Sequence, residues 1–302
     1  MSTDTVIWQF TDGKPGHENQ TSGLINALEN RTSVKIHTID VPSNIITFIF
    51  SLLIGRFYRQ LSQLTKPNYL IAAGSTTQLP MQFSHLFFGG KRILLMRPYW
   101  PMNWFDHLII PQHDSPKIDN KILVTQGAIN KVSPSSNHDA KQGVILLGGP
   151  SKHYFWDSIS IIEQITQLLK AHADISWTVA NSRRTPDDFE TQLQAHSGKV
   201  TFIDFRETDS SWLPKQLTSS GHVWVSPDSV SMLYEAITSG AAVGCLDLEE
   251  KSSNNRITKG IKLLMEQRII TSFTQWQNSQ ALTLPPIQLN EAQRAADWIL
   301  SQ

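Results

Sequence analysis

Short runs of β-branched and aromatic residues recur along the whole chain, each followed by a stretch that suits a helix, and this alternation most narrows the possible fold. Strands alternating with helices assemble into parallel sheets covered by helices. In the first half, strands are expected near Val6 to Phe10, Val34 to Ile39, Tyr69 to Ala73, Arg92 to Met96 and His107 to Ile110. In the second half they are expected near Val144 to Leu147, Trp177 to Ala180, Val200 to Ile203, Val223 to Val225 and Ala242 to Leu246. Between the halves, "AINKVSPSSNHDAKQG" is polar, rich in Ser and Asn and without apolar periodicity, so it reads as a linker. The chain closes on "NEAQRAADWILSQ", a capped helix. The expected class is therefore α/β: two Rossmann-like doubly wound domains facing across a cleft, residues 1–128 and 143–302, joined by a linker at 129–142, with the terminal helix in the second domain.

Composition supports a globular, two-domain reading. The 302 residues are 40% hydrophobic and only 17% charged, with nine tryptophans, enough to bury a large core. A single cysteine, Cys245, excludes an internal disulfide and a multi-cysteine zinc site and fits a reducing compartment. No basic segment with an apolar core opens the sequence, so a cytoplasmic location is expected. Zero formal net charge argues against nucleic acid as a partner. The charge is unevenly spread, however. No acidic residue lies between Asp40 and Asp106, whereas Arg56, Arg59, Lys66, Lys91, Arg92 and Arg97 all do. Within that region "NIITFIFSLLIGRFYRQL", residues 44–61, is apolar over too short a run to span a bilayer. It reads either as a buried core helix or as a helix lying peripherally on an anionic membrane surface, and the missing acid favours the surface.

In doubly wound sheets ligands sit outside the carboxyl ends of the strands, so the loops after strands carry the candidate chemistry. The first, "FTDGKPGHENQTSGL", offers the carboxylate of Asp12, the cation of Lys14, the imidazole of His17 and the flexible Gly13 and Gly16 ahead of a helix. It is not the dinucleotide fingerprint. "LLGGPSKHYFWD" repeats the design with Gly148, Gly149, Ser151 and Lys152, a plausible pyrophosphate cradle that lacks the P-loop ending. "VANSRRTP" places Asn181, Arg183 and Arg184 at a strand end, where paired arginines suit phosphate. In "VWVSPDSVSMLYEAITSGAAVGCLDL" a polar loop containing Asp228 and Ser229 leads into a helix on which Ser231 and Glu235 are four residues apart and share a face. A carboxylate at that place can accept both hydroxyls of a ribose. Ser75, Thr76 and Arg97 lie in further loops after first-half strands.

Taken together, "DGKPGHENQTSGL", "GGPSKHYFWD", "NSRRTP" and "PDSVSMLYEAITSGAAV" resemble the family named after the mitochondrial fission factor ELM1, over nearly the whole chain. That family is in turn similar to two-domain glycosyltransferases of the GT-B type, and the first loop resembles the glycine-rich turn ending in Gly-His of the peptidoglycan N-acetylglucosaminyltransferase. Asp12 and Lys14 depart from that turn, standing where small residues are expected. The resemblance implies a glycosyltransferase moving a sugar from a nucleotide donor to an envelope glycan or lipid-linked acceptor at the inner face of the membrane. The donor side would be Gly148, Gly149, Ser151, Lys152, Asn181, Arg183, Arg184, Asp228, Ser229, Ser231 and Glu235. Asp12 or His17 would be the general base, and Lys14, Gly16, Ser75, Thr76 and Arg97 would serve the acceptor. No cofactor is expected, the nucleotide sugar being a substrate. Nor is a metal, because no Asp-x-Asp pair follows a strand where the diphosphate would lie. A membrane-associated adaptor of the same fold without the chemistry, or a nucleotide-sugar epimerase, is the alternative.

Overall fold

The computed structural model describes residues 4–42, 44–53, 55–117, 119–197, 200–252 and 255–302. Ile54, inside the apolar run at 44–61, lies outside the described residues. The chain divides into two compact units, one formed by residues up to Lys131 together with Glu291–Gln302, the other by Val132–Asn290.

The first unit is a six-stranded parallel sheet of β1 (Thr5–Thr11), β2 (Val34–Asp40), β3 (Tyr69–Ala73), β4 (Lys91–Leu95), β5 (His107–Pro111) and β6 (Ile122–Thr125). Its order is β2-β1-β3-β4-β5-β6. Helices α1 (Pro15–Glu29), α2 (Ile45–Leu53), α3 (Arg56–Ser62) and α4 (Gln78–Phe88) connect the early strands. Along β1 the side chains alternate between two cores: Val6, Trp8 and Phe10 pack with Leu70 and Ala72 of β3, while Ile7 packs with Ile71 and Ala73. A parallel sheet covered on both faces needs such near-continuous apolar strands. Each fully buried Leu, Ile or Phe contributes about 1.5–3 kcal/mol, so the strands, more than the loops, hold the unit together.

The second unit repeats the plan with β7 (Asp139–Leu146), β8 (Ser176–Ala180), β9 (Thr201–Ile203), β10 (Ser220–Val225), β11 (Ala242–Cys245) and β12 (Thr271–Ser272), in the order β12-β11-β10-β7-β8-β9. Helices α5 (Ser158–Ala171), α6 (Phe189–Ser197), α7 (Trp212–Ser219), α8 (Val230–Ser239), α9 (Arg256–Glu266) and α10 (Phe273–Ser279) run between and after them. Strand β7 begins at Asp139, inside the stretch read as linker. The last helix, α11 (Glu291–Leu300), belongs with the first unit, contrary to the sequence expectation. Its Ala292, Ala295, Ala296 and Ile299 share a core with Leu24, Ile25 and Leu28 of α1, and Arg31 pairs with Asp297 at 2.7 Å.

Each sheet contains one switch point, where the winding reverses. In the first unit the chain leaves β1 for β2 on one side and returns to β3 on the other. In the second, β7 is followed by β8 and β9 on one side, and β10 then pairs on the other. Loops leaving the carboxyl ends of β1 and β3, and of β7 and β10, diverge there and open a crevice.

Candidate functional site

At the first switch point, β1 ends in Thr11, whose hydroxyl donates to Glu18 Oε1 at 2.5 Å and accepts from the Gly13 N–H at 3.2 Å. This closes a tight turn with Gly13 at φ 73°, and α1 starts at Pro15, a residue pre-set for a first helical turn. The turn folds Asp12 inward until its side chain is 1% exposed. There the carboxylate meets His17 Nδ1 at 2.9 and 3.1 Å, accepts from Thr76 Oγ1 at 2.9 Å, and pairs with Lys14 Nζ at 3.1 Å. Burial works to raise the Asp12 pKa, but the hydrogen bonds from His17, Thr76 and Lys14 outweigh it and hold the carboxyl at about 2. An ionised carboxylate only accepts, so the hydrogen of a neutral His17 sits on Nδ1 and the lone pair on Nε2.

His17 is locked from the other side as well. Gly74, directly after β3, has φ 85°, and a Cβ there would overlap the imidazole. Beyond it the buried amide of Gln78 donates to the Gly74 carbonyl at 3.2 Å and accepts from the N–H groups of Tyr99 and Trp100, both at 3.2 Å. Gln78 thus ties the loop after β4 to the loop after β3. A largely apolar pocket of about 210 Å³ lies between them, lined by Ser75, Thr76, Leu79, Tyr99 and Trp100 and, from the far side, by Asn44 and Phe48. Met96, where that second loop leaves β4, holds φ 76°, an uncommon conformation for a residue with a side chain. Asp12, Lys14, His17 and Thr76 are thereby assembled into one group. Gly16 lies in the first turn of α1, Ser75 is exposed at the pocket, and Arg97 points to the Asp114 carbonyl at 3.3 Å.

The second switch point uses its polar groups differently. Both glycine N–H groups of the expected phosphate cradle donate inside the protein, Gly148 to Ser226 Oγ and Gly149 to Asp228 Oδ2, each at 2.8 Å. A Cβ on Gly148 would overlap the Asp228 carboxylate, and one on Gly149 the Arg184 carbonyl. Asp228, whose side chain is 0% exposed, pairs with Arg184 Nη2 at 2.8 Å, while Arg184 Nη1 donates to the carbonyls of Gly149 at 3.1 Å and Pro150 at 3.2 Å. The hydroxyls of Ser182 and Thr185 close the group on the Gly148 carbonyl. The loops after β7, β8 and β10 are therefore knotted together. Ser151 also works locally, accepting from the N–H groups of His153 at 3.2 Å and Tyr154 at 3.1 Å, while Lys152 is exposed beside it.

Beside the knot lies a pocket of about 200 Å³ lined by Asn181, Arg183, Phe205, Thr208, Trp212 and Met232, among others. Asn181 shapes its wall: its Oδ1 accepts from the Phe205 N–H at 2.7 Å and its Nδ2 donates to Asp204 at 3.2 Å. Helix α8 starts nearby at the N-cap residue Ser229, whose side chain makes no capping bond, with Ser231 exposed in its first turn. An uncapped helix N-terminus presents N–H donors to an anion. Glu235, on the next turn, is buried at 8% exposure. Gln78, Tyr99 and Trp100 in the first unit, and Phe205 and Trp212 in the second, are candidate-site residues that sequence reasoning missed, whereas Thr185 and Ser226 lie in loops it singled out without assigning them a role. Ser226 had a signal, since it lies in the same hydroxyl-rich loop as Ser229. Among the described residues no group of three His, Cys, Asp or Glu side chains could hold a metal ion.

Two parallel six-stranded sheets wound with helices, each gathering its candidate groups where the strand order reverses, define an α/β protein of the GT-B-like class. Residues 15–302 match the family described as Mitochondrial fission ELM1, and the chain belongs to that family. A protein of Rickettsia prowazekii (strain Madrid E), described as uncharacterized protein RP120, is 23% identical, the match covering 78% of this chain and 81% of the other. The fold is similar to that of MurG from Acinetobacter baumannii, with a TM-score of 0.57 and 12% identity over 99% of this chain and 100% of that one. It is equally similar to UDP-GlcNAc 2-epimerase from Neisseria meningitidis bound to UDP-GlcNAc, with a TM-score of 0.58 and 11% identity over 99% and 100% of the two chains.

Proposed function

We propose that the chain is a glycosyltransferase that moves a sugar from a nucleotide diphosphate donor to a hydroxyl acceptor. The observation that carries this reading is the His17–Asp12 pair, held by Thr76 and Lys14 at the switch point of the first unit. A carboxylate that fixes the tautomer and orientation of an imidazole makes its far nitrogen a general base. Asp12 itself, enclosed and holding its charge down to about pH 2, acts as the positioning residue. In the reaction the acceptor oxygen attacks the anomeric carbon, its proton passes to His17 Nε2, and the bond from that carbon to the diphosphate oxygen breaks. Direct displacement of this kind inverts the anomeric configuration.

The donor belongs to the second unit. Its pocket is lined by the rings of Phe205 and Trp212, which suit a base, and Arg183 with the uncapped start of α8 meets the charge of the leaving diphosphate. The likeness to an epimerase crystallised with UDP-GlcNAc supports a sugar nucleotide as ligand. A thermal-shift screen against UDP-, GDP-, ADP-, dTDP- and CMP-linked sugars tests the reading, because a ligand that binds only the folded state raises its melting temperature. One nucleotide class should stabilise the protein, and Arg183→Ala should abolish the shift. A donor consumed to its epimer without any acceptor would replace the transferase with an epimerase, and no shift with any nucleotide would leave the adaptor.

A further inference from the structure

Helix α2 is apolar on a face that it does not bury. Phe48 and Leu52 pack inward, Phe48 with its ring 5.3 Å from that of Phe57. Ile46, Ile49, Phe50 and Leu53, in contrast, are 77%, 48%, 61% and 80% exposed. These four are spaced i, i+3, i+4 and i+7 and so form a single stripe roughly 100° wide. A third face carries Thr47 and Ser51, which line a side pocket of about 490 Å³ together with Arg56 and Gln60, with Asp40 at its edge. Tyr58 of α3 and Leu86 and Phe87 of α4 are exposed too, and the rings of Tyr58 and Phe87 lie 5.5 Å apart. Single exposed hydrophobics are ordinary on any protein, whereas a stripe joined by further exposed aromatics marks a surface made to be covered.

Charge identifies what covers it. Arg56, Arg59, Lys66 and Arg97 are exposed in a segment that has no acidic residue between Asp40 and Asp106. A helix of nine residues is roughly 13 Å long, less than half the hydrocarbon thickness, and no helix among the described residues is long and apolar enough to cross a membrane. An apolar stripe that cannot span, flanked by the cations Arg56 and Arg59 and with Asp40 as the one acid lining the adjoining pocket, matches a helix lying in the interface of an anionic bilayer.

We propose that this face docks on an anionic phospholipid bilayer, the α2 stripe entering the boundary between headgroups and acyl chains while Arg56 and Arg59 meet lipid phosphates. The docking stands apart from the catalytic reading, but one consequence rests on it. The pocket lined by Thr76 is also lined by Asn44, just before α2, and by Phe48 of α2, so an acceptor hydroxyl carried on a lipid headgroup would reach Thr76, whose hydroxyl donates to the Asp12 of the His17–Asp12 pair.

The test is co-sedimentation of the full chain with vesicles of phosphatidylcholine alone and of phosphatidylcholine mixed with phosphatidylglycerol. The protein should sediment with the mixed vesicles, release as salt rises, and stay largely free of the neutral ones. Arg56→Glu with Arg59→Glu should weaken binding by about tenfold or more. The triple change Ile49→Ser, Phe50→Ser, Leu53→Ser should abolish it while leaving the melting temperature near that of the parent, since these side chains make little of the core. Phe50→Trp supplies a second readout, a blue shift in emission on adding mixed vesicles. Failure to sediment with either vesicle would overturn the docking, as would serine variants that bind like the parent or an oligomer that the serine variants dissolve. Nucleotide shifts measured on the same samples without vesicles separate this failure from failure of the transferase reading.

Discussion

The two switch-point loops draw on the same residue types and reach opposite states. In the first unit, Thr76 and Lys14 hold the Asp12 carboxylate and Asp12 holds one imidazole, whose second nitrogen is left for chemistry. In the second unit, the glycine N–H groups, Arg184, Ser182, Thr185 and Oδ2 of Asp228 spend theirs within the loops, leaving only the buried Asp228 Oδ1 without a partner among these groups, and ligand binding falls to the neighbouring pocket and the start of α8. A glycine-rich loop at a strand end is thus a place where a site can form. Which groups are already satisfied decides whether it reacts or only holds the scaffold.

If that contrast is right, the first loop is fragile in activity and the second in stability. His17→Ala should lower turnover by about 10²- to 10⁴-fold with little change in melting temperature. Asp12→Asn should come close to that loss by releasing the wrong tautomer. Steady-state kinetics beside thermal melts would check both. Arg184→Ala should do the reverse, destabilising the protein by about 1–3 kcal/mol because the enclosed Asp228 carboxylate loses its half-exposed cation. Urea titration measures that loss, and a stability like that of the parent would dissolve the distinction between the loops. Trp212→Ala should weaken the donor nucleotide by about 1–1.5 kcal/mol, roughly tenfold, with turnover at saturating donor preserved, read by titration calorimetry.

A further effect is on pH dependence. Because the Asp12 carboxyl is held near 2, below its ordinary value of 3.8, its contribution to stability is present above the ordinary value and is lost as the pH falls from there through about 2. Comparing melts at mildly and strongly acidic pH, Asp12→Asn should flatten that part of the profile.

Much of the fold could be read from the sequence because the central strands are buried on both faces, and their apolar runs stand out between helical stretches. Two of the four edge strands could not. Strand β6, half-buried along Ile122, Leu123 and Val124, and the two residues of β12 are too short to show a period. The apolar face of α11 announces that it packs, but nothing in it names α1 as the partner. The loops that carry the candidate groups were visible through their Gly, Ser and His content. Their hydrogen bonding was not, since Gly148 and Ser226 lie 78 residues apart in sequence. Gln78 gave no sign, being one amide in an ordinary helical stretch. The apolar pattern of α2 would read the same whether buried or exposed; the missing acid around it leaned towards the surface, and the exposure of Ile46, Phe50 and Leu53 decides it.

The most direct test measures donor affinity and donor turnover together on His17→Ala. The account predicts unchanged affinity and turnover lower by about 100-fold or more, with the product of the parent inverted at its anomeric carbon. Turnover equal to that of the parent, or affinity lost along with it, would contradict the assignment of His17 as the base.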